Sequence, residues 1–257
     1  NTLTKQKDLF TVTVTYKDGN TEKVSQNNIL SINKKTEDED GITYTATIKG
    51  DKKNFDTSEL IIPKITPIYA GYNSNDKTLY FAKTAKELED VGVTDNYENI
   101  SKVSFVNYNS VPWYSMRSNI TKVNFLSEVK PTSCAYWFNN LSYLTGLKNI
   151  KKLNTCNVTD MSFMFSSCCN LTALNVSNFN TSKVTNMDSM FYDCSRLASL
   201  DVSHFDTSKV TNMHYMFNGC RLLTTLDVGN FNTSKVTNMK SMFFGCTSLT
   251  SLDVSNF

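Results

Sequence analysis

Residues 197–220 have the sequence LASLDVSHFDTSKVTNMHYMFNGC, and close copies of it fill much of the C-terminal half of the 257-residue chain. Equivalent leucines, phenylalanines and cysteines recur every 26 residues. The three columns are Leu174, Leu200, Leu226 and Leu252; Phe179, Phe205, Phe231 and Phe257; and Cys168, Cys194, Cys220 and Cys246. A period of this length is typical of repeat architectures, in which each unit packs mainly on its neighbours.

Each repeat predicts one coil of a stacked structure. In residues 197–205 the apolar side chains follow the LxxLxLxx spacing of a short strand that turns alternate residues inward. Val210 and Met213 predict a second inward segment, and residues 216–220 have the three- and four-residue spacing of one helical turn. Because a single coil cannot bury these side chains alone, we expect stacked coils to share one continuous core.

The repeat sequence LxxLDVSNFxTSKVTNMxxMFxGC closely resembles the leucine-rich repeats of BspA-type bacterial surface proteins, which also occur in mycoplasma surface proteins. The resemblance covers about residues 67–257. It implies a surface-displayed bacterial protein used for adhesion or host contact, but it supplies no shared catalytic or binding residues. The chain departs from the pattern at Cys156, where later coils have serine, and at the additional Cys169.

The remaining sequence predicts two further β-rich segments. In residues 1–66, alternating apolar residues at 10–16 and an Asp-Gly pair at 18–19 predict a β-hairpin. This pattern is similar to bacterial immunoglobulin-like modules that serve as stalks. Residues 36–40, TEDED, predict a solvated loop.

Residues 67–131 predict a β-rich N-terminal cap, with short strands and one helix that begins after Thr84 and has Glu87 at capping-box spacing. The predicted fold class is therefore mainly β with short helical turns. A leucine-rich-repeat-like solenoid of 26-residue coils at 132–257 follows the β-rich cap and a small β-sandwich-like, immunoglobulin-like module.

Composition narrows the function classes. The chain has 26 Lys and Arg against 24 Asp and Glu, a formal net charge of +2, which gives no electrostatic reason to expect nucleic acid as a partner. It has no run of 18 apolar residues, so we expect no membrane insertion in this segment. The first ten residues lack the apolar core of a signal peptide. An export signal, if the protein has one, was removed or lies outside this sequence. The resemblance predicts an extracellular, cell-surface bacterial protein.

The sequence predicts no enzyme, cofactor or metal site. His204 and His214 are the only histidines, and the equivalent positions vary between coils, so neither fits a Ser-His-Asp or Cys-His grouping. No histidine recurs beside the cysteine column for a zinc site. Parallel side chains in stacked coils disfavour disulfides, so we expect all seven cysteines to be free and those of the column to be buried.

Two charged columns are predicted to face outward. Stacked carboxylates roughly 5 Å apart repel by up to about 0.8 kcal/mol per pair in water, so lysines, water or a cation should offset the repulsion. Calcium would need about six to eight oxygen ligands, so pairing with side chains or solvent is favoured. A lysine column suits a solvated edge better than a contact with an acidic glycan. The acidic column is Asn175, Asp201, Asp227 and Asp253, and the basic column is Lys183, Lys209 and Lys235.

Variation between nearly identical coils is the best pointer to recognition, because interfaces favour exposed aromatic residues and Arg. We therefore predict a ligand-binding surface at exposed, variable positions. These are Asp188, Tyr192, His214, Tyr215, Asn218, Arg221, Lys240 and Phe244.

The leading hypothesis is a non-enzymatic binding scaffold that mediates adhesion to a host or matrix protein. The alternatives are a glycan-binding module, which would present exposed aromatic residues beside Asn and Asp, and a purely structural stalk. At the C-terminus, residues 249–257 should form a partly open edge that favours end-to-end self-association or further repeats after Phe257.

Overall fold

The computed structural model describes residues 12–15, 21–24, 29–37, 41–48, 60–63, 67–93, 97–100 and 105–257, of which the first five ranges and 97–99 are described as backbone only. The chain divides into two compact units, Asn1–Ile65 and Thr66–Phe257. The predicted cap and repeats lie together in the second unit.

The described residues of the first unit form five strands in two antiparallel sheets. Strand β1 (Val12–Thr15) pairs with β2 (Thr21–Val24). Strands β3 (Ile29–Glu37), β4 (Gly41–Ile48) and β5 (Leu60–Pro63) form the second sheet in that order. These are the alternating segments in which apolar and β-branched residues favour extended backbone.

Two predictions for this unit can be compared with its strands. The antiparallel pair β1–β2 is present where the alternating sequence predicts a hairpin, while the Asp-Gly turn at 18–19 lies outside the described residues. The predicted loop at 36–40 is partly wrong, because Thr36 and Glu37 pair with Thr43 and Ile42 and so belong to β3. The immunoglobulin-like module stays a prediction.

The second unit begins with a five-stranded mixed sheet. Its strands are β6 (Tyr69–Asn73), β7 (Thr78–Ala82), β8 (Tyr97–Asn99), β9 (Lys122–Phe125) and β10 (Gly146–Lys148). They lie in the order β10-β9-β7-β6-β8. The pairs β10–β9 and β9–β7 are parallel, whereas β6 pairs antiparallel with β7 and β8.

The predicted helix is confirmed as α1 (Ala85–Glu89) with a complete capping box. The Glu87 N–H donates to Thr84 Oγ1 at 3.3 Å, and the Thr84 N–H donates to Glu87 Oε2 at 3.3 Å. Short 3-10 helices follow at Tyr108–Ser110, Tyr114–Met116 and Ile150–Lys152. Residues 105–110 are described without a strand, and Ser110 Oγ donates to the Asn107 carbonyl at 2.6 Å to close a turn.

Parallel pairing continues beyond β10 as single bridges between successive repeats. The bridge residues are Ser133, Asp160, Asn186, Asn212 and Asn238, each paired with the next. We number the repeats from these residues. Repeat 1 is 133–159, repeat 2 is 160–185, repeat 3 is 186–211, repeat 4 is 212–237 and repeat 5 is 238–257.

The backbone after each bridge residue alternates between two kinds of hydrogen bond. In repeat 4 the N–H groups of Met213, Tyr215, Phe217 and Gly219 donate to carbonyls of repeat 5 at 2.8–3.1 Å. The intervening Met216, Asn218 and Cys220 N–H groups bond three residues back. The expected helical turn at 216–220 is therefore wrong: this segment is a series of turns whose alternate N–H groups join the next repeat.

The strand predicted for the LxxLxLxx segment of each repeat, such as residues 197–205, is also shorter than expected. Among the described residues 170–257 only one bridge occurs there, between Ala173 and Ser199. The neighbouring bonds are long, 3.4 Å from Ala198 N to Thr172 O and 3.5 Å from Thr224 N to Ala198 O. Backbone bonding between repeats is thus strong on one side of each repeat and weak on the other.

One hydrophobic core runs from Ile68 through the repeats to Met242, which explains why cap and repeats form one unit. Equivalent phenylalanine rings of repeats 2 to 5 stack nearly parallel, with centroids 5.8, 5.7 and 5.8 Å apart. The inward columns predicted from the sequence, such as Leu200, Val210 and Met213, are buried. At the other end, Val254 and Phe257 are exposed, as expected for that edge.

Buried polar side chains join the repeats from within the core. Each cysteine thiol of the column donates to a phenylalanine carbonyl of the preceding repeat, as Cys194 Sγ does to Phe165 O at 3.2 Å. Buried threonines bond in the other direction, as Thr181 Oγ1 does to Asp206 O at 3.0 Å. These bonds give the buried thiol and hydroxyl groups acceptors and tie successive repeats together.

Candidate functional site

A groove with a volume of about 900 Å³ crosses all five repeats on the strongly bonded side. It also includes Asn107 and Tyr108, which lie at the start of the first 3-10 helix. All of its lining residues belong to the second unit. The groove therefore has the form expected of a binding site, a concave surface with mixed aromatic and polar walls.

A column of left-handed residues forms one wall of the groove. Each repeat contributes one groove-lining residue with φ between 53° and 63°. This conformation is uncommon for residues other than glycine. Here it is imposed by the alternating backbone bonds, so it repeats whatever side chain is present. The column consists of Tyr136, Phe163, Ser189, Tyr215 and Ser241.

A second column lies three residues further along each repeat. It begins with Asn139 and Ser166, which contribute amide and hydroxyl groups, and it ends with an exposed phenylalanine. Phe244 is 73% exposed, so much of its ring is open to a ligand. The full column is Asn139, Ser166, Tyr192, Asn218 and Phe244.

Each repeat contributes one aromatic ring from these two columns. In repeats 1, 2 and 4 the ring is in the left-handed column, and in repeats 3 and 5 it is in the second column beside a serine. Tyr136 stacks on Phe163 with centroids 4.8 Å apart, and Tyr192 meets Tyr215 edge-on at 5.9 Å. The small Ser189 occupies the position between those of Phe163 and Tyr215, so it leaves a notch between two aromatic pairs.

A carboxylate lies beside this notch. Asp188 Oδ1 accepts from Ser189 Oγ at 2.7 Å, and Asp188 Oδ2 accepts from Asn212 Nδ2 at 3.3 Å. His214 Nδ1 lies 3.5 Å from Asp188 Oδ1, and the two side chains are 24% and 20% exposed. The imidazole also packs on Tyr215, with ring centroids 3.8 Å apart. The carboxylate is thus held in place by three neighbours while part of it faces solvent.

The groove has a distinct charge pattern. Its described lining residues include one carboxylate and no lysine or arginine. Burial is the main cause that raises the pKa of Tyr136, with smaller contributions from the negative charges of Asp160 and Asp188. The Tyr136 hydroxyl therefore remains protonated and can donate a hydrogen bond at neutral pH.

Six of the eight residues predicted from sequence variation line this groove. Of these, Tyr192 and Phe244 are exposed as expected. The others are more covered than expected, because side chains and backbone of adjacent repeats pack against them. The six are Asp188, Tyr192, His214, Tyr215, Asn218 and Phe244.

Asn218 departs furthest from the expected exposure. It is only 9% exposed, and its Nδ2 donates to Ser241 O of the next repeat at 3.2 Å. Asp188, His214 and Tyr215 are half-buried. Arg221 and Lys240 are exposed, but neither is among the groove-lining residues.

Sequence variation missed several groove residues. Tyr136 and Phe163 lie in repeats 1 and 2, whose sequences share few identities with the later copies. Their available signal was the single aromatic residue per repeat near the methionine-phenylalanine pair. Ser189 and Ser241 were missed because they look like ordinary turn residues.

The outward aspartates pair with nearby groups, and Asp201 pairs with a side chain as favoured from the sequence. Asp201 Oδ1 accepts from both Ser203 Oγ at 2.7 Å and Ser203 N at 3.0 Å. Asp253 and Ser255 repeat this arrangement through the Ser255 N–H at 2.9 Å. The Ser203 hydroxyl, then its N–H, lower the pKa of Asp201. Donors two residues ahead in the same repeat therefore hold these carboxylates.

The two remaining predicted features are located as follows. His204 is exposed, in agreement with its variation between repeats, and its Nε2 lies 3.0 Å from Val176 O. In the lysine column, Lys183 Nζ donates to Asn157 Oδ1 of the preceding repeat at 2.8 Å.

All seven cysteines are free. Burial raises the pKa of the thiols of Cys134, Cys168, Cys194 and Cys220, which keeps them protonated as donors. The described part of the chain contains no group of three or more His, Cys, Asp or Glu arranged to hold a metal ion. Nor does it contain a helix long and apolar enough to cross a membrane.

Comparison with known proteins gives one finding. Residues 132–257 match the model of a family described as "Mycoplasma protein of unknown function, DUF285". Searches of curated proteins and of solved structures gave no significant match. The matched residues include all five repeats and every groove residue except Asn107 and Tyr108. This part of the chain, which holds the groove, is therefore similar to a family of mycoplasma proteins.

Proposed function

We propose that the protein is a non-enzymatic binding scaffold of a bacterial cell surface, and that the groove binds a component of host tissue or its extracellular matrix. The observation that carries this proposal is that six of the eight candidate residues selected from the sequence lie together in the groove. Positions free to change without loss of the core can be selected for recognition.

The architecture supporting this role would be a leucine-rich-repeat-like solenoid related to BspA-type surface repeats. The support is the 26-residue period, the parallel bridges between successive repeats and the stacked phenylalanine rings. In such an array each repeat adds a strip of surface, so a ligand can contact several repeats at once. The similarity to a mycoplasma family supports a bacterial surface location.

Binding fits the groove better than catalysis does. The Ser189 hydroxyl donates to Asp188 at 2.7 Å, so it is directed at the acid and not at the His214 imidazole. A serine nucleophile would need its hydroxyl bonded to the base. The Asp188–His214 pair therefore serves to shape and polarise the groove wall.

A plate assay on matrix deposited by cultured fibroblasts tests the proposal. The wild-type chain, the double variant Tyr192→Ala/Phe244→Ala and the control Tyr143→Ala would be compared. Tyr143 is an exposed tyrosine in repeat 1 that does not line the groove. Neither altered groove residue has a left-handed backbone, so alanine is compatible with both positions.

We expect the wild-type and control chains to bind and the double variant to lose at least about tenfold in affinity. Urea unfolding would verify that all three chains are equally folded. A wild-type chain that did not bind would contradict adhesion and favour a structural stalk. Equal binding by a folded double variant would remove the groove from the proposal.

A further inference from the structure

We propose that the ligand of the groove is an uncharged oligosaccharide chain. This inference rests on the proposed function and specifies its partner, since glycans are displayed on host surfaces and matrix proteins. It follows from three properties of the groove: the arrangement of its rings, the kind of polar groups beside them and the use of its backbone.

The aromatic rings suit sugar faces. A pyranose ring presents C–H groups on a face and hydroxyls around its edge, so it needs an aromatic surface with hydrogen-bonding groups close by. Phe244 offers an open ring, and Tyr192 combines an apolar ring with a hydroxyl. The exposed rings of Phe244 and Tyr192 can each hold a sugar unit of one chain, whereas Tyr136 and Phe163 stack on each other.

The polar groups beside these rings match sugar hydroxyls. A carboxylate has about four lone-pair sites, and the three contacts of Asp188 leave it able to accept from a ligand hydroxyl. Asn139 adds an amide that can both donate and accept. Hydroxyls likewise donate and accept, so sugar and groove are chemically complementary.

The charge of the groove selects among sugars. Sialylated and sulfated glycans carry negative charges, which basic side chains usually bind. The described lining residues offer no lysine or arginine, and Asp188 would repel an anion. Uncharged glycans are therefore favoured.

The backbone hydrogen bonds along the groove disfavour an extended peptide as the ligand. A peptide that adds to a sheet edge needs unpaired N–H and C=O groups. Along the groove, the N–H groups of Ser189 and Tyr215 already donate to the following repeat, at 2.7 and 3.1 Å. Recognition must therefore go through side chains, which leaves the ring and hydroxyl chemistry described above.

The test is an array of neutral, sialylated and sulfated oligosaccharides, with unglycosylated extended peptides as a second set. We expect the folded full chain to bind neutral oligosaccharides and to lose about tenfold in affinity with Tyr192→Ala. Asp188→Asn should weaken neutral binding and increase the relative signal of sialylated glycans. Asp227→Asn, an exposed carboxylate outside the groove, is the matched control and should change neither.

Matrix pretreated with periodate, which cleaves the vicinal diols of sugars, separates this inference from the proposed function. Loss of groove-dependent binding after periodate, together with neutral glycan binding on the array, supports both. Unchanged binding after periodate that still requires Tyr192 and Phe244, or preferential binding of peptides, overturns the glycan inference and leaves the scaffold role standing. Binding that no longer depends on these residues overturns both.

Discussion

The two sides of each repeat provide hydrogen-bond partners for their backbone N–H groups in different ways. On the groove side, N–H groups such as those of Ser189 and Phe191 donate to the next repeat at 2.7–2.9 Å, and the side chains vary between repeats. On the opposite side, which we call the aspartate surface (Asn175, Asp201, Asp227 and Asp253), bonds between repeats are sparse and long. There each acidic or amide side chain accepts from an N–H two residues ahead.

This difference explains why some positions keep the same residue type in every repeat while others vary. Where neighbouring repeats satisfy the backbone, a side chain is free to change, and recognition can use it. Where they do not, the side chain must bond its own backbone, and the residue type is retained. Invariant residues on the aspartate surface therefore report local backbone chemistry, not a ligand.

The largest effect should come from the core beneath the groove. Phe217 stacks between Phe191 and Phe243 and is fully buried, so Phe217→Ala should cost about 3–5 kcal/mol of unfolding free energy in urea melts. Phe244→Ala, in the exposed groove column, should cost less than about 0.5 kcal/mol. Comparable losses from both would mean that the groove residues support the fold, and the contrast between the two sides would fail.

A second pair tests the aspartate surface. Leu226 is buried between repeats, so Leu226→Ala should cost about 2–5 kcal/mol. Asp227→Ala should cost less than about 0.5 kcal/mol, because the exposed side chain bonds only the Gly229 N–H and its charge repels its neighbours in the column. If Asp227→Ala proved as harmful as Leu226→Ala in urea melts, the outward assignment would be wrong.

The smallest expected effect is on the pH dependence of the stability of the fold. Local donors lower the pKa of Asp201 in the folded chain, so the ionised form stabilises the fold above the unfolded pKa of about 3.9. This contribution is lost as the pH falls through the lowered folded pKa. The urea midpoint should therefore decrease slightly less between about pH 6 and pH 3 for Asp201→Asn than for the wild type. Identical decreases would show that the Ser203 bonds do not matter to stability.

The sequence was sufficient to predict the features that depend on the 26-residue period or on residue spacing within one turn. Inward columns such as Leu200 and Met213, the buried cysteines and the Thr84–Glu87 cap all follow from spacing within one repeat or one turn. Most of the variable positions that it selected lie in the groove. These features need only local rules, and a fixed repeat applies those rules several times.

Other features depend on which neighbour lies across the repeat boundary. The burial of Asn218 comes from Ser241 one repeat later, and the position of Asp188 depends on Asn212 and His214. Such contacts cannot be deduced before the register between repeats is known. The Asp201–Ser203 bonds, by contrast, were visible as an Asp-x-Ser motif and could have been predicted.

The ladder of stacked Phe165, Phe191 and Phe217 has a consequence for the length of the groove. Because equivalent rings are nearly parallel and each repeat meets its neighbours through the same contacts, a duplicated 26-residue unit would join the ladder without new core packing. Each gain or loss of a unit would lengthen or shorten the groove by one aromatic position. The number of repeats would then set the length of the ligand chain that the groove can contact.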